Sequence, residues 1–103
     1  MKYSSELLNK ALNISLEWGE NWLAPIQQRL KEKETRLTDT QLNEIDELCR
    51  QQVTRFAWKQ FEAEADGEQT VSEAKATIMN AFPWISPDNL AQLSSQGQYY
   101  ARK

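Results

Sequence analysis

The stretch that decides the fold is TDTQLNEIDELCRQQVTRFAWKQFEAEADG, residues 38–67. It opens on Thr38 with Gln41 three residues later, a capping-box pair that marks the start of a helix. It closes on Gly67, a residue suited to the left-handed conformation that often follows a helix C-terminus. The apolar residues between these signals recur at helical spacing on one stripe: Leu42, Ile45, Cys49, Val53 and Phe56. This pattern predicts one long central helix over about residues 39–65.

The N-terminal segment has the pattern of an amphipathic helix capped by Ser4 or Ser5. Its apolar residues occupy one broad stripe, which we expect to be buried: Tyr3, Leu7, Leu8, Ala11, Leu12, Ile14, Leu16 and Trp18. Two continuations fit the residues that follow. Asn21 would cap a separate second helix with Pro25 in its first turn, or one continuous helix would be kinked around Gly19 and Pro25.

Two further helices are predicted after residue 67. Thr70 and Glu73 form a second capping box, and the helix that they open should stop before Pro83. The run Ser86-Pro87-Asp88 combines an N-cap, a proline at the first helical position and an acidic residue in the first turn. We expect Gly97 to end this last helix and residues 98–103 to form a flexible aromatic and basic tail.

Composition agrees with one small helical domain. The 103 residues carry 15 acidic and 12 basic side chains, a net charge of −3, one cysteine and no histidine. We therefore predict an all-α fold, a compact bundle of four to five helices spanning 1–103 as a single domain. The lone cysteine favours a reducing compartment, and there is no apolar run of signal-peptide or transmembrane length. These features predict a cytoplasmic protein that does not associate with membranes.

Most common catalytic designs are excluded by the absence of histidine. Neither a Ser-His-Asp triad nor a histidine-bearing metal site can be built from this chain. Cys49 lies on the apolar stripe of the long helix, away from basic residues, so we interpret it as a buried hydrophobe and not as a nucleophile. We predict no enzyme activity, no cofactor and no metal site. An enzyme without histidine chemistry remains a third interpretation.

Aromatic residues are the feature that a small core does not account for. Trp58 and Phe61 leave the apolar stripe of the long helix when their angles are counted from Leu42. Either this half of the helix is covered on both sides, which we favour, or the two residues contact another chain. Aromatic residues and arginine are enriched at interaction hot spots. The candidate interface residues are Trp58, Phe61, Trp84, Tyr99, Tyr100 and Arg102.

Two alternative binding functions were compared with this interpretation. Residues 62–73 resemble part of an EF-hand loop, but Glu62 replaces the compact first aspartate and Gln69 replaces an apolar residue, so calcium binding is not favoured. A helix-turn-helix-like segment carries basic residues that could contact phosphates, although acidic residues alternate with them and begin the following helix. These basic residues are Arg29, Lys31, Lys33 and Arg36.

The interpretation that fits best is a small cytoplasmic protein-protein interaction module without catalytic activity. It would act as a homo-oligomer, most simply a homodimer, as an accessory subunit, or as an acidic inhibitor or antitoxin-like partner. The alternative is a nucleic-acid-associated regulatory protein that uses the basic segment.

Overall fold

The described part of the chain is built from helices, most of which begin at a capping signal. The computed structural model describes residues 2–17 and 24–102, and within these ranges the chain is all-α, with no strand. The α-helices are α1 Ser5–Ser15, α2 Gln27–Lys33, α3 Asp39–Asp46, α4 Arg55–Ala65, α5 Val71–Ala81 and α6 Pro87–Ala101. A π-helical segment, Glu47–Thr54, joins α3 to α4 without a break. The predicted all-α class and the predicted long helix over 39–65 are therefore confirmed.

The predicted side-chain caps are present at the starts of α1, α3, α5 and α6, whereas α2 begins after Ile26 without one. The Thr38 hydroxyl accepts from the Gln41 backbone N–H at 3.1 Å, and the Gln41 side chain accepts from the Thr38 N–H at 2.9 Å. Thr70 and Glu73 make the same reciprocal pair at the start of α5. Such bonds satisfy backbone donors that have no partner within the helix. Gly67 has the left-handed φ of 81° expected just after the long helix.

The π-helical segment is a departure from the predicted regular helix. Its hydrogen bonds close wider turns than those of an α-helix, so each residue advances by a smaller angle. An α-helical wheel counted from Leu42 therefore gives wrong angles beyond residue 47. The sequence carries a sign of this. The fully buried residues recur at every fourth position, a wider interval than the 3.6 residues of an α-helical turn. They are Ile45, Cys49, Val53, Ala57 and Phe61.

The chain divides into two compact units, Met1–Gln52 and Val53–Lys103. In the first unit, α1 ends at Ser15 with Leu16 as its cap, and α2 begins at Gln27. The two helices are therefore separate, and the alternative of one kinked helix is wrong. Pro25 precedes α2, so the prediction that it lies in the first turn of the second helix is also wrong. Ile26 and Leu30 are fully buried. The expected roles of Trp18, Gly19 and Asn21 concern residues 18–23, which lie outside the described residues.

A buried carboxylate links two parts of the first unit. The Asp46 side chain is almost fully buried and accepts a hydrogen bond from the backbone N–H of Ile26 at 3.1 Å. Arg50 donates to both oxygens of the same carboxylate, at 2.7 and 2.9 Å. Asp46 therefore connects the residue that precedes α2 to the long helix. The spacing of four residues between Asp46 and Arg50 is typical of an ion pair on one helix, whereas the contact with Ile26 joins residues 20 positions apart and leaves no local pattern.

In the second unit, α4 packs against both α5 and α6. Gly97 lies inside α6, which continues to Ala101, so the prediction that Gly97 ends this helix is wrong. A Cβ atom at position 97 would lie 2.6 Å from Cδ2 and 3.2 Å from Cβ of Phe61, which is fully buried on α4. Glycine occupies this position because α4 and α6 approach too closely for a larger residue. None of the helices in the described ranges has the length and apolarity needed to cross a membrane.

Replacing Gly97 by alanine tests this close approach. Alanine favours the helix interior by about 1 kcal/mol over glycine, whereas overpacking a core costs about 1–3 kcal/mol. We expect overpacking to dominate, because the nearest atoms include Cγ and Cβ of a buried ring that cannot swing away. Urea unfolding should show a net loss of up to about 2 kcal/mol for Gly97→Ala. Combining it with Phe61→Leu should give a smaller loss than the sum of the two single changes, and a stabilised Gly97→Ala protein would contradict the packing.

Candidate interaction surface

The predicted aromatic residues of α4 and α6 form a cluster at the C-terminal end of α6. The Trp58 and Tyr100 rings are stacked, with centroids 5.5 Å apart and an interplanar angle of 15°. Tyr99 meets Tyr100 edge-on, at 4.9 Å and 82°. Such geometries are favourable for aromatic pairs. We call Trp58, Tyr99 and Tyr100 the aromatic cluster.

Exposure differs sharply within the aromatic cluster. Tyr99 is 57% exposed and is the large hydrophobic residue that stands out on the surface of the described chain. Trp58 and Tyr100 are half-buried. The stack between them therefore holds Tyr100 in place, and Tyr100 in turn supports a ring that projects into solvent. More than half of Tyr99 is therefore exposed to solvent beside this stack.

A small cleft lies beside the aromatic cluster, with a volume of about 210 Å³. Trp58 and Glu62, one turn apart on α4, form one wall, and Gly97, Tyr100 and Ala101 of α6 form the other. The three α6 residues share one helix face because they are spaced by three and four positions. The absence of a side chain at Gly97 contributes to the opening. Sequence reasoning did not assign Gly97 to the site, although a glycine followed by an aromatic residue three positions later was visible.

An ion pair holds the end of α6 against α4. Arg102 donates from Nη2 to Oε2 of Glu64, whose side chain is only 11% exposed. This hydrogen bond raises the pKa of the Arg102 guanidinium above its ordinary value. The Arg102 side chain is itself 48% exposed. Its Nη1 also donates to the backbone carbonyl of Gln98 at 3.5 Å. Arg102 therefore follows the aromatic cluster in the chain as a charged side chain that is tied at two points and half exposed.

The other two candidate residues lie elsewhere. Phe61 is fully buried beneath Gly97, so it belongs to the core and leaves the set of surface candidates. The Trp84 ring is half-buried and packs edge-on against Phe82 at 6.4 Å, and Phe82 packs on Phe56 at 5.6 Å. Trp84 precedes the first turn of α6, whereas the aromatic cluster lies at its last turn. The structure thus brings together Trp58, Tyr99, Tyr100 and Arg102.

The residues of the EF-hand-like segment take part in helix structure and capping. Glu62 and Glu64 belong to the last two turns of α4, and Glu73 accepts the Thr70 N–H at 2.8 Å. The Gln69 side chain donates to the backbone carbonyl of Gln60 at 2.8 Å. These residues therefore belong to a helix, cap a helix or bond to its backbone, and they do not form a loop wrapped around an ion.

Two of the basic residues considered for phosphate binding form hydrogen bonds within the first unit. The Arg29 guanidinium donates to the backbone carbonyls of Ile14 and Ala24, both at 3.1 Å, and pairs with Glu17. Lys31 donates to the carbonyl of Leu37. These bonds fix the segments around α2, so both side chains have structural partners in place of a phosphate.

Cys49 is fully buried, and burial raises the pKa of its thiol to about 12, with a smaller contribution from Asp46. The folded state therefore holds the protonated thiol. We expect the native protein to react with a thiol reagent far more slowly than a free cysteine does, and the urea-unfolded chain to react at the free rate. Rapid modification of the native protein would contradict the burial.

The same pKa shift predicts a pH dependence of stability. The unfolded chain releases the thiol proton from about pH 9, whereas the folded chain keeps it until about pH 12. The contribution of Cys49 is therefore complete below pH 9 and is lost as the pH rises towards 12. The advantage in unfolding free energy of the natural protein over Cys49→Ala should shrink across this range. A difference that stays constant would contradict the shift.

No protein-family model, curated protein or solved structure shows a significant match to this chain.

Proposed function

We propose that this chain is a small, non-catalytic protein-protein interaction module of the cytoplasm that binds its partner through the aromatic cluster and Arg102. The observation that carries the proposal is the exposure of Tyr99, 57%, beside a stacked Trp58–Tyr100 pair that is already ordered. Burying an aromatic ring that is held in place stabilises a complex at little cost in conformational entropy. Arg102 adds a charged group at the edge of the same surface.

Structural roles of the other reactive groups support a binding function over a catalytic one. Cys49 is protonated and buried, and Arg29 donates hydrogen bonds to backbone carbonyls. The carboxylates of Asp46, Glu64 and Glu73 serve an internal link, an ion pair and a helix cap. The exposed residues at the C-terminal end of α6 include the aromatic Tyr99 and the charged Arg102.

Photo-cross-linking from position 99 tests this function. A photoreactive phenylalanine analogue replaces Tyr99 in cells that naturally produce the protein, and the products are separated by mass. Ala76, an exposed residue of α5, is the matched control position. We expect a discrete cross-linked protein from position 99 and none from position 76. Equal or absent cross-linking at the two positions would overturn the proposed function.

A further inference from the structure

The exposed residues on the outer face of α6 are arranged so that this face is complementary to the same face of a second copy. We define this face by its exposed residues Asp88, Ala91, Ser95, Tyr99 and Arg102. At the angular advance of an α-helix, these five positions fall within a sector of about 80°. They extend over about 21 Å of helix, at about 1.5 Å per residue.

The positions are distributed symmetrically about Ser95. Ala91 and Tyr99 lie four residues to either side of Ser95, and Asp88 and Arg102 lie seven residues to either side. When two copies of such a helix cross antiparallel at Ser95, each position meets its symmetric counterpart. Ser95 then faces Ser95 of the second copy, Ala91 faces Tyr99, and Asp88 faces Arg102.

Both size and charge match in this pairing. The large Tyr99 ring meets the small Ala91, and the serines at the crossing allow a close approach of the two helices. The negative Asp88 meets the positive Arg102 twice, once on each side of the two-fold axis. A parallel pairing would instead bring Asp88 to Asp88 and Tyr99 to Tyr99, which is unfavourable in charge and in volume.

We propose that a second copy of this chain docks on the outer face of α6, with the two helices antiparallel about Ser95. The proposal rests on the proposed function, because it names the partner of the surface that contains Tyr99 and Arg102. Arg102 can take part while it pairs with Glu64, since a guanidinium has five N–H donors and about half of this side chain is exposed. A two-fold dimer is also the commonest closed assembly of identical chains.

Charge exchange between two variants tests the pairing. Asp88→Arg alone places like charges opposite Arg102, and Arg102→Glu alone places them opposite Asp88. We expect each variant to dimerise at least about tenfold more weakly than the natural chain in sedimentation equilibrium. An equimolar mixture of the two should recover dimers, because both contacts are then between opposite charges. Glu68→Arg, an exposed substitution with the same change of net charge as Asp88→Arg, should dimerise like the natural chain.

Three results would overturn the proposal: a natural chain that stays at its monomer mass of 12.0 kDa up to millimolar concentration, variants that dimerise normally, or a mixture that does not recover. Circular dichroism identifies a variant that fails to fold. In that case a disulfide between two Ser95→Cys chains, in a Cys49→Ala background, provides the second test, and its absence under oxidation overturns the pairing. A monomeric chain that cross-links from position 99 to a different protein would overturn the second copy and leave the proposed function in place.

Discussion

Replacing Phe61 by alanine should lower the free energy of unfolding by about 3–5 kcal/mol, the range for removing a buried aromatic ring. Phe61 is fully buried on α4 and directly underlies Gly97 of α6. The vacated space cannot be filled from α6, because the residue facing it is a glycine without a side chain. We therefore expect the upper part of this range, and we expect the cluster of Trp58 and Tyr100 to loosen with it.

Urea unfolding, followed by tryptophan fluorescence, measures this loss. Phe56→Ala is a matched control, since Phe56 lies on the same helix but is only half-buried, and it should cost clearly less. A loss below about 1 kcal/mol for Phe61→Ala would show that the contact between α4 and α6 contributes little. It would also return Phe61 to the set of candidate interface residues.

Replacing Asp46 by alanine should cost about 2–4 kcal/mol. The change leaves the Ile26 N–H without its acceptor and Arg50 without its carboxylate. Breaking a fully buried pair costs about 3–5 kcal/mol, and the value here is lower because the Arg50 side chain is 22% exposed. The effect is large because one carboxylate accepts hydrogen bonds from two residues, Ile26 and Arg50.

Asp46→Asn separates these two contributions. An asparagine side chain can still accept from the Ile26 N–H but has no charge for Arg50, so its loss should be intermediate. The measurement is again the unfolding free energy, with Glu47→Ala as an exposed control on the same helix. Equal losses for Asp46→Ala and Asp46→Asn would assign the whole effect to the ion pair and would contradict a role for the Ile26 contact.

Most of the fold could be predicted from local signals in the sequence. Capping pairs such as Thr38 with Gln41 act over three residues, so their geometry is visible in the sequence. The π-helical segment was not predicted, because a wheel with 3.6 residues per turn assumes a regular helix throughout. The apolar residues at every fourth position from Ile45 to Phe61 are the sign of it that the sequence carries.

The candidate site could be predicted only in part, because it depends on contacts between distant residues. Tyr99, Tyr100 and Arg102 were recognised from composition, but their ordering depends on Trp58 and Glu64 of another helix. Gly97 was misassigned because glycine is common at helix ends and close packing of two helices leaves no local pattern. The same close contact between α4 and α6 buries Phe61.

Under the proposed function, Tyr99 contributes to binding and not to folding. The decisive measurement is the unfolding free energy of Tyr99→Ala in urea, beside that of the natural protein. We expect a difference within about 0.5 kcal/mol, as for other surface substitutions, because 57% of the residue is exposed. A loss of about 2 kcal/mol or more would place Tyr99 in the core and would contradict its role in binding.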